Sequence, residues 1–241
     1  MLCLPDNVRA SAESLILEVS ATGRFSSGFM TMAVKKNLPK HKTAKVLIKP
    51  FFAEIGEAVH RWNALHENLG SLFSAIMQPK LPHPRVAHAI WYELANDRVQ
   101  RQVLKSAALT KYWKEGLPQH DRIRGEVKWL ISEIDSLSDK RNDLVHAPLT
   151  VKSQYRIQAG LSFQLESRYV QPSDWYGHGR AKKLVAKGLV GSQLRARYKL
   201  TSHWAHELGS FAAKLADHLN GLTKTWPSRP QPPNWGQTKL D

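Results

Sequence analysis

Apolar residues recur at spacings of three and four over long stretches of this chain, and that periodicity constrains its fold more than any other feature. Phe51, Ile55, Val59, Trp62, Leu65, Leu69, Leu72 and Ile76 draw one stripe along a long helix, with Pro50 suited to its first turn and Pro79 ending it. A second pattern runs from about Pro84 to Leu109 through Ile90, Trp91, Leu94, Val99 and Val103, interrupted by Arg98 and Arg101. A third runs from about Pro118 to His146 through Ile123, Val127, Leu130, Ile134 and Leu137, then Arg141, then Leu144 and Val145. Pro148 forbids its continuation and pushes Ala147 out of helical geometry. A fourth carries Trp204, Leu208, Phe211, Leu215, Leu219 and Leu222.

Between the third and fourth patterns the period changes from 3.6 to 2. Tyr155, Ile157, Ala159, Leu161, Phe163 and Leu165 alternate with more polar or smaller neighbours, which reads as a hairpin turning near Gly160. The architecture this predicts is mainly α: a bundle of about four to five helices with a small β-hairpin insertion before the last long helix. Hydrophobic residues make up 42 % of the 241, enough for a real core.

The expected organisation has three parts. Residues 1–49 read as a basic, flexible arm with a short helix at Ala10 to Ser20; Val19 to Ala53 holds no acidic residue. Met32 opens an alternative start, which sets the first 31 residues apart from the functional protein. Residues 50–223 form the helical domain, with the β insertion at about 150–170 and a basic, glycine-containing loop at about 171–199. Residues 224–241, with Pro227, Pro230, Pro232 and Pro233, read as a disordered tail.

Charge points to the class of partner. Lys and Arg number 35 against 20 Asp and Glu, a net +15 and a pI near 10.0, so a polyanion is expected: nucleic acid first, an anionic membrane surface second. From Trp175 to Ala205 there is again no acid. Arg180, Lys182, Lys183, Lys187, Arg195, Arg197 and Lys199 lie there with Tyr176 and Tyr198, which makes an RNA-backbone patch with aromatics for stacking. A single cysteine, Cys3, rules out a disulfide framework and a cysteine-rich zinc site, and fits the cytoplasm. No run of about 18 apolar residues exists to span a membrane, and the first residues do not read as a secretory signal. No cofactor or metal is implied. Gly177, Gly179, Gly188 and Gly191 are not followed by the Gly-Lys-Ser/Thr of a phosphate loop, and His203 and His206 lack zinc-protease spacing.

Residues 141 to 146 read Arg-Asn-Asp-Leu-Val-His and close the third helix. Arg141 continues the apolar stripe, so it should point toward the bundle or a partner, where a guanidinium needs an anion or a carboxylate. Asn142 and His146 are four apart and share a helix face, so the amide can orient the imidazole. Arg141 and His146 lie about 140 degrees apart around the axis, which lets two copies on a twofold axis bring both to one phosphate. A second Arg-His pair at the same spacing, Arg61 and His66, lies mid-helix and reads as a decoy. Asn directly after Arg is what distinguishes the 141–146 pair. The competing reading makes Arg141 a last-turn cation and His146 a helix cap.

Arg-Asn, three residues and His late in a long helix of a helical bundle resembles the HEPN superfamily (higher eukaryotes and prokaryotes nucleotide-binding), over about Pro50 to Thr223. The resemblance implies a metal-independent, homodimeric endoribonuclease of a defence or toxin–antitoxin system, in which an antitoxin is a further partner. Arg141 would bind the scissile phosphate, Asn142 would be the polar residue beside it, and His146 would transfer the proton. The β insertion and basic arm depart from a minimal bundle. The alternatives are a non-catalytic RNA- or nucleotide-binding module of the same type, and a helical interaction protein with an acidic partner.

Overall fold

A computed structural model describes residues 44–77, 85–158, 162–173 and 179–235, all belonging to one unit that begins at Lys42. The element order is α1 (Ala44–Met77), α2 (Arg85–Glu93), α3 (Asp97–Lys111), α4 (Pro118–Val145), β1 (Leu149–Gln158), β2 (Ser162–Pro172), α5 (Gly179–Ala186) and α6 (Gly191–Leu219). Among the described residues the fold is thus mainly helical with one antiparallel hairpin ahead of the last long helix, as the periodicity predicts. No helix among the described residues is long and apolar enough to cross a membrane.

The first stripe buries as expected: Phe51, Trp62, Leu65, Leu69, Leu72 and Ile76 are all at most 4 % exposed. Helix α1 starts earlier than Pro50 suggested. Its first turns take in Lys45 and Lys49 from the expected arm, and Pro50 lies inside the helix. Proline there forfeits its own N–H bond and crowds the carbonyl of Val46, while Leu47 and Ile48 gain packing by staying helical. The rest of the arm, the Ala10 to Ser20 helix and the Met32 start lie outside the described residues.

The second pattern is two helices rather than one. Asn96 is extended (φ −164°, ψ 164°) and its side chain accepts the Val99 N–H at 3.0 Å, a cap that starts α3 afresh. The interrupting arginine explains itself: Arg101 is buried and bonds Asp135 on α4 through Nε at 2.7 Å.

The main core joins α1, α2, α3, α4 and α6. Two glycines set its closest approaches. A Cβ on Gly70 would sit 3.0 Å from the Trp91 indole, and one on Gly209 would sit 3.3 Å from the Leu65 Cα, so α6 lies directly on the α1 backbone. A second, smaller core gathers Phe51, Leu144, Ala147, Val170, Leu184, Leu189, Leu194 and Tyr198. It ties the end of α4 to the hairpin, α5 and the start of α6. In the hairpin Val151 pairs with Val170, and an irregularity between Gln154 and Tyr155 leaves Glu166 as the extra residue on β2.

Up to Trp235 the proline-rich segment departs from the expected disordered tail, and residues 236–241 lie outside the described residues. Residues 226–235 lie along α4 as a strap. Trp226 faces Arg122 (4.1 Å from guanidinium carbon to ring centroid), and Arg229 Nε bonds Glu126 at 2.6 Å and covers Trp129 at 5.0 Å. Trp235 meets Lys140 at 4.9 Å. The lengths agree: nine residues at polyproline spacing cover about 28 Å, and α4 from Arg122 to Lys140 covers about 27 Å. Four prolines suit that path because it needs no backbone ladder.

Candidate functional site

Helix α4 ends where Pro148 requires. His146 caps it (φ −96°, ψ 2°), its N–H donating to the Asn142 carbonyl at 3.2 Å. The buried Tyr198 hydroxyl of α6 donates to the Leu144 carbonyl at 2.9 Å and satisfies one of the last free carbonyls of α4. Burial raises the Tyr198 pKa far above the usual phenol value, so the hydroxyl stays a donor. This anchoring fixes the turn that carries Arg141, Asn142 and His146.

Arg141 points inward, as its place on the stripe predicts. Its guanidinium lies over Trp62 of α1 at 5.5 Å, and Nη1 donates to Asn142 Oδ1 at 2.9 Å. Its Nε is buried and has no hydrogen-bond partner among the described residues. No carboxylate pairs with it among those residues. The Asn142 amide oxygen therefore serves Arg141 and not the imidazole, a difference from the orienting contact expected between Asn142 and His146. The nearer donor wins: Arg141 is the adjacent residue, while His146 at the helix end is exposed, and its ring makes no hydrogen bond among the described residues.

Three residues that the sequence reading did not place join this cluster. Trp62 donates Nε1–H to Asp97 Oδ2 at 2.7 Å, and its ring also receives Arg101 at 6.0 Å. His66 packs its ring 5.1 Å from Trp62, contacts Gln100 Oε1 through Nδ1 at 3.1 Å, and has Nε2 3.7 Å from Asp97. Burial lowers the His66 pKa; Asp97 and Gln100 oppose this, while Arg101 and Arg141 reinforce it. Its former pair, Arg61, faces elsewhere, bonded to Glu57 at 2.6 Å and within 3.4 Å of His206. The one available signal for His66 was its position one turn after Trp62 on the buried face of α1.

A polar cleft of about 830 Å³ opens between α3 and α4 beside the cluster. Asp97, Arg98, Arg101, Asp135, Asp139 and Asn142 are among its walls, so Asn142 links the cleft to Arg141. Among the described residues no group of three or more His, Cys, Asp or Glu side chains could hold a metal ion.

The basic stretch expected as a loop is helical over most of its length, split between α5 and the first turns of α6. Buried apolar residues explain why: Ala181 and Leu184 lie one turn apart on α5, and Leu184 and Leu194 pack in the second core. Its cations divide into four groups. Arg180 and Lys183 face Asp143 at 3.9 and 3.7 Å, and Arg195 and Lys199 face Glu54 at 2.9 and 3.8 Å. Arg197 donates to the Trp235 carbonyl at 3.0 Å. Lys182 and Lys187 are exposed and form no ion pair among the described residues. Tyr198 is buried and offers no stacking face; Tyr176 lies outside the described residues.

Compared with known proteins, the chain matches no family model, no curated protein and no solved structure.

Proposed function

We propose that this chain is a HEPN-type, metal-independent endoribonuclease acting as a homodimer in the cytoplasm, in a defence or toxin system whose antitoxin is a further partner. One observation carries the reading. Arg141 is held half-buried on Trp62, with an unpartnered Nε and no carboxylate against it among the described residues, and a dehydrated guanidinium in that state favours an anion. It sits on the same last turns as an exposed imidazole, His146, which has no hydrogen-bond partner among the described residues.

RNA supplies its own nucleophile. The 2′-oxygen attacks phosphorus as its proton passes to a base, the bond from phosphorus to the 5′-oxygen breaks, and that oxygen takes up a proton. The products are a 2′,3′-cyclic phosphate and a 5′-hydroxyl. Arg141 would hold the phosphorane charge, Asn142 would steady the guanidinium, and His146 would move the proton. Arg180, Lys182, Lys183, Lys187, Arg195, Arg197 and Lys199 would dock the backbone.

A second reading, an RNA-binding module without cleavage, is favoured by the Asn142–Arg141 bond, which leaves His146 without an orienting partner among the described residues. Incubation of structured RNA in EDTA with wild type, Arg141→Ala and His146→Ala separates the two. Cleavage by wild type alone, leaving cyclic-phosphate ends, supports the nuclease. Equal RNA binding by wild type and His146→Ala without cleavage supports the module. Equal cleavage by all three removes the motif from the chemistry.

A further inference from the structure

Lys140, Lys187 and Arg197 line a small pocket of about 80 Å³ beside the last turns of α4, with Leu144, Leu184 and Leu189 forming its apolar wall. Trp235 engages two of these cations. Its ring centroid lies 4.9 Å from Lys140 Nζ and 5.2 Å from the Arg197 guanidinium carbon, and its carbonyl accepts from Arg197 Nη2 at 3.0 Å.

None of the three cations forms an ion pair among the described residues. Asp143 lines the pocket but pairs with Arg180 and Lys183. Lys140 donates instead to Ser136, to Oγ at 2.6 Å and to the carbonyl at 3.3 Å, and the buried Nε of Arg197 has no partner there. Burial lowers the pKa of Lys140; Glu133 and Asp139 on its own helix oppose this, and Arg197 and Lys187 add to it. Burial lowers that of Arg197 as well. Lys140 and Arg197, partly dehydrated and held only by a carbonyl, a hydroxyl and an indole face, are placed to favour a charge-assisted bond to phosphate over these neutral partners, with the exposed Lys187 beside them.

We propose that this pocket is a phosphate subsite for the backbone of single-stranded RNA and that the strap gates it, Trp235 leaving when a phosphodiester takes Lys140 and Arg197. The strap does not have to detach. Trp226 on Arg122 and Arg229 on Glu126 keep its first half in place, so only the stretch from Pro230 to Trp235 has to move. This rests on the RNA reading above, but not on cleavage.

The test is equilibrium binding of a fluorescent oligouridylate in EDTA at low salt. The proteins are wild type, Trp235→Ala, Lys140→Ala/Arg197→Ala and the triple variant, each checked for folding by its thermal melt. Trp235→Ala is expected to bind about fivefold more tightly, the scale of one cation–π contact released. The triple variant is expected to lose that gain. Trp235→Leu keeps an apolar side chain over the core and gives the same reading if the alanine variant does not fold. Unchanged or weaker binding by Trp235→Ala overturns the gate; weaker binding makes the ring a stacking platform. A gain that survives loss of Lys140 and Arg197 overturns the subsite. If wild type and all variants ignore RNA, the RNA reading and the gate fall together. If wild type binds and Trp235→Ala does not differ, only the gate falls.

Discussion

The guanidinium of Arg141 on α4 rests on the indole of Trp62 on α1, and the same indole donates to Asp97 on α3. One side chain of the α1 stripe thus joins three helices at the base of the motif. The position of Arg141 depends on Trp62 as much as on its own helix.

Trp62→Phe keeps an aromatic face for Arg141 and loses the donor to Asp97. Urea melts should show about 1–2 kcal/mol of lost stability, the scale of a hydrogen bond to a half-exposed carboxylate. Trp62→Ala also opens a cavity and should cost about 3–5 kcal/mol. RNA cleavage should fall further in the alanine variant, because Arg141 then has no ring to lie on. Equal losses in both variants would separate Arg141 from Trp62.

His66 should give stability a pH slope. In the unfolded chain it titrates near about 6.5. In the folded protein burial lowers its pKa, with Asp97, Gln100 and Arg101 of α3 and Arg141 of α4 as its neighbours. As pH falls below the ordinary histidine range, the unfolded state takes up a proton that the native state refuses, so stability falls. The contribution is complete above the ordinary value and is lost as pH drops toward the lowered one. Denaturant melts between about pH 5 and 8 should show a shallower slope for His66→Gln; parallel curves would contradict it.

Tyr198→Phe leaves the Leu144 carbonyl without its donor inside the second core. The expected cost is about 1–3 kcal/mol in urea melts. Hydrogen exchange should quicken first at the end of α4, around Leu144 to Ala147. Unchanged protection there would show that the tyrosine does not hold the turn.

Gly209→Ala puts a methyl 3.3 Å from the Leu65 backbone, where no rotamer change can relieve it. Helices α1 and α6 must part by a few tenths of an ångström, at about 1–3 kcal/mol. A differential scanning melt at or above the wild-type temperature would show that the contact is looser than its geometry.

Helices α1, α4 and α6 and the hairpin were legible because each repeats a period along the chain. The α2–α3 break was less so: Leu94, Val99 and Val103 continue the stripe, and only Asn96 followed by Asp97 marks a cap. The strap was missed for a physical reason. Proline-rich sequence has no period to detect, and what fixes it is indole and guanidinium contacts to residues about a hundred positions away, such as Arg229 to Glu126. Arg141 was placed correctly because it sits on a stripe. Trp62, His66 and Arg101 were not seen beside it, because three helices meet there and no local spacing reports that meeting. The basic loop was misread because its lysines masked Ala181, Leu184 and Leu194, which hold it helical.

The close seating of α6 on α1 has a kinetic consequence. Arg61 and His206, which meet across that pair, are 145 positions apart, so the contact closes a very long loop. High contact order of this kind slows folding, since chain entropy is lost before the packing is gained. Everything between, including α3, α4 and the cleft that separates them, lies within that loop. Local helices can form early, but the seating of α6 on α1 is complete only when these distant segments have found each other.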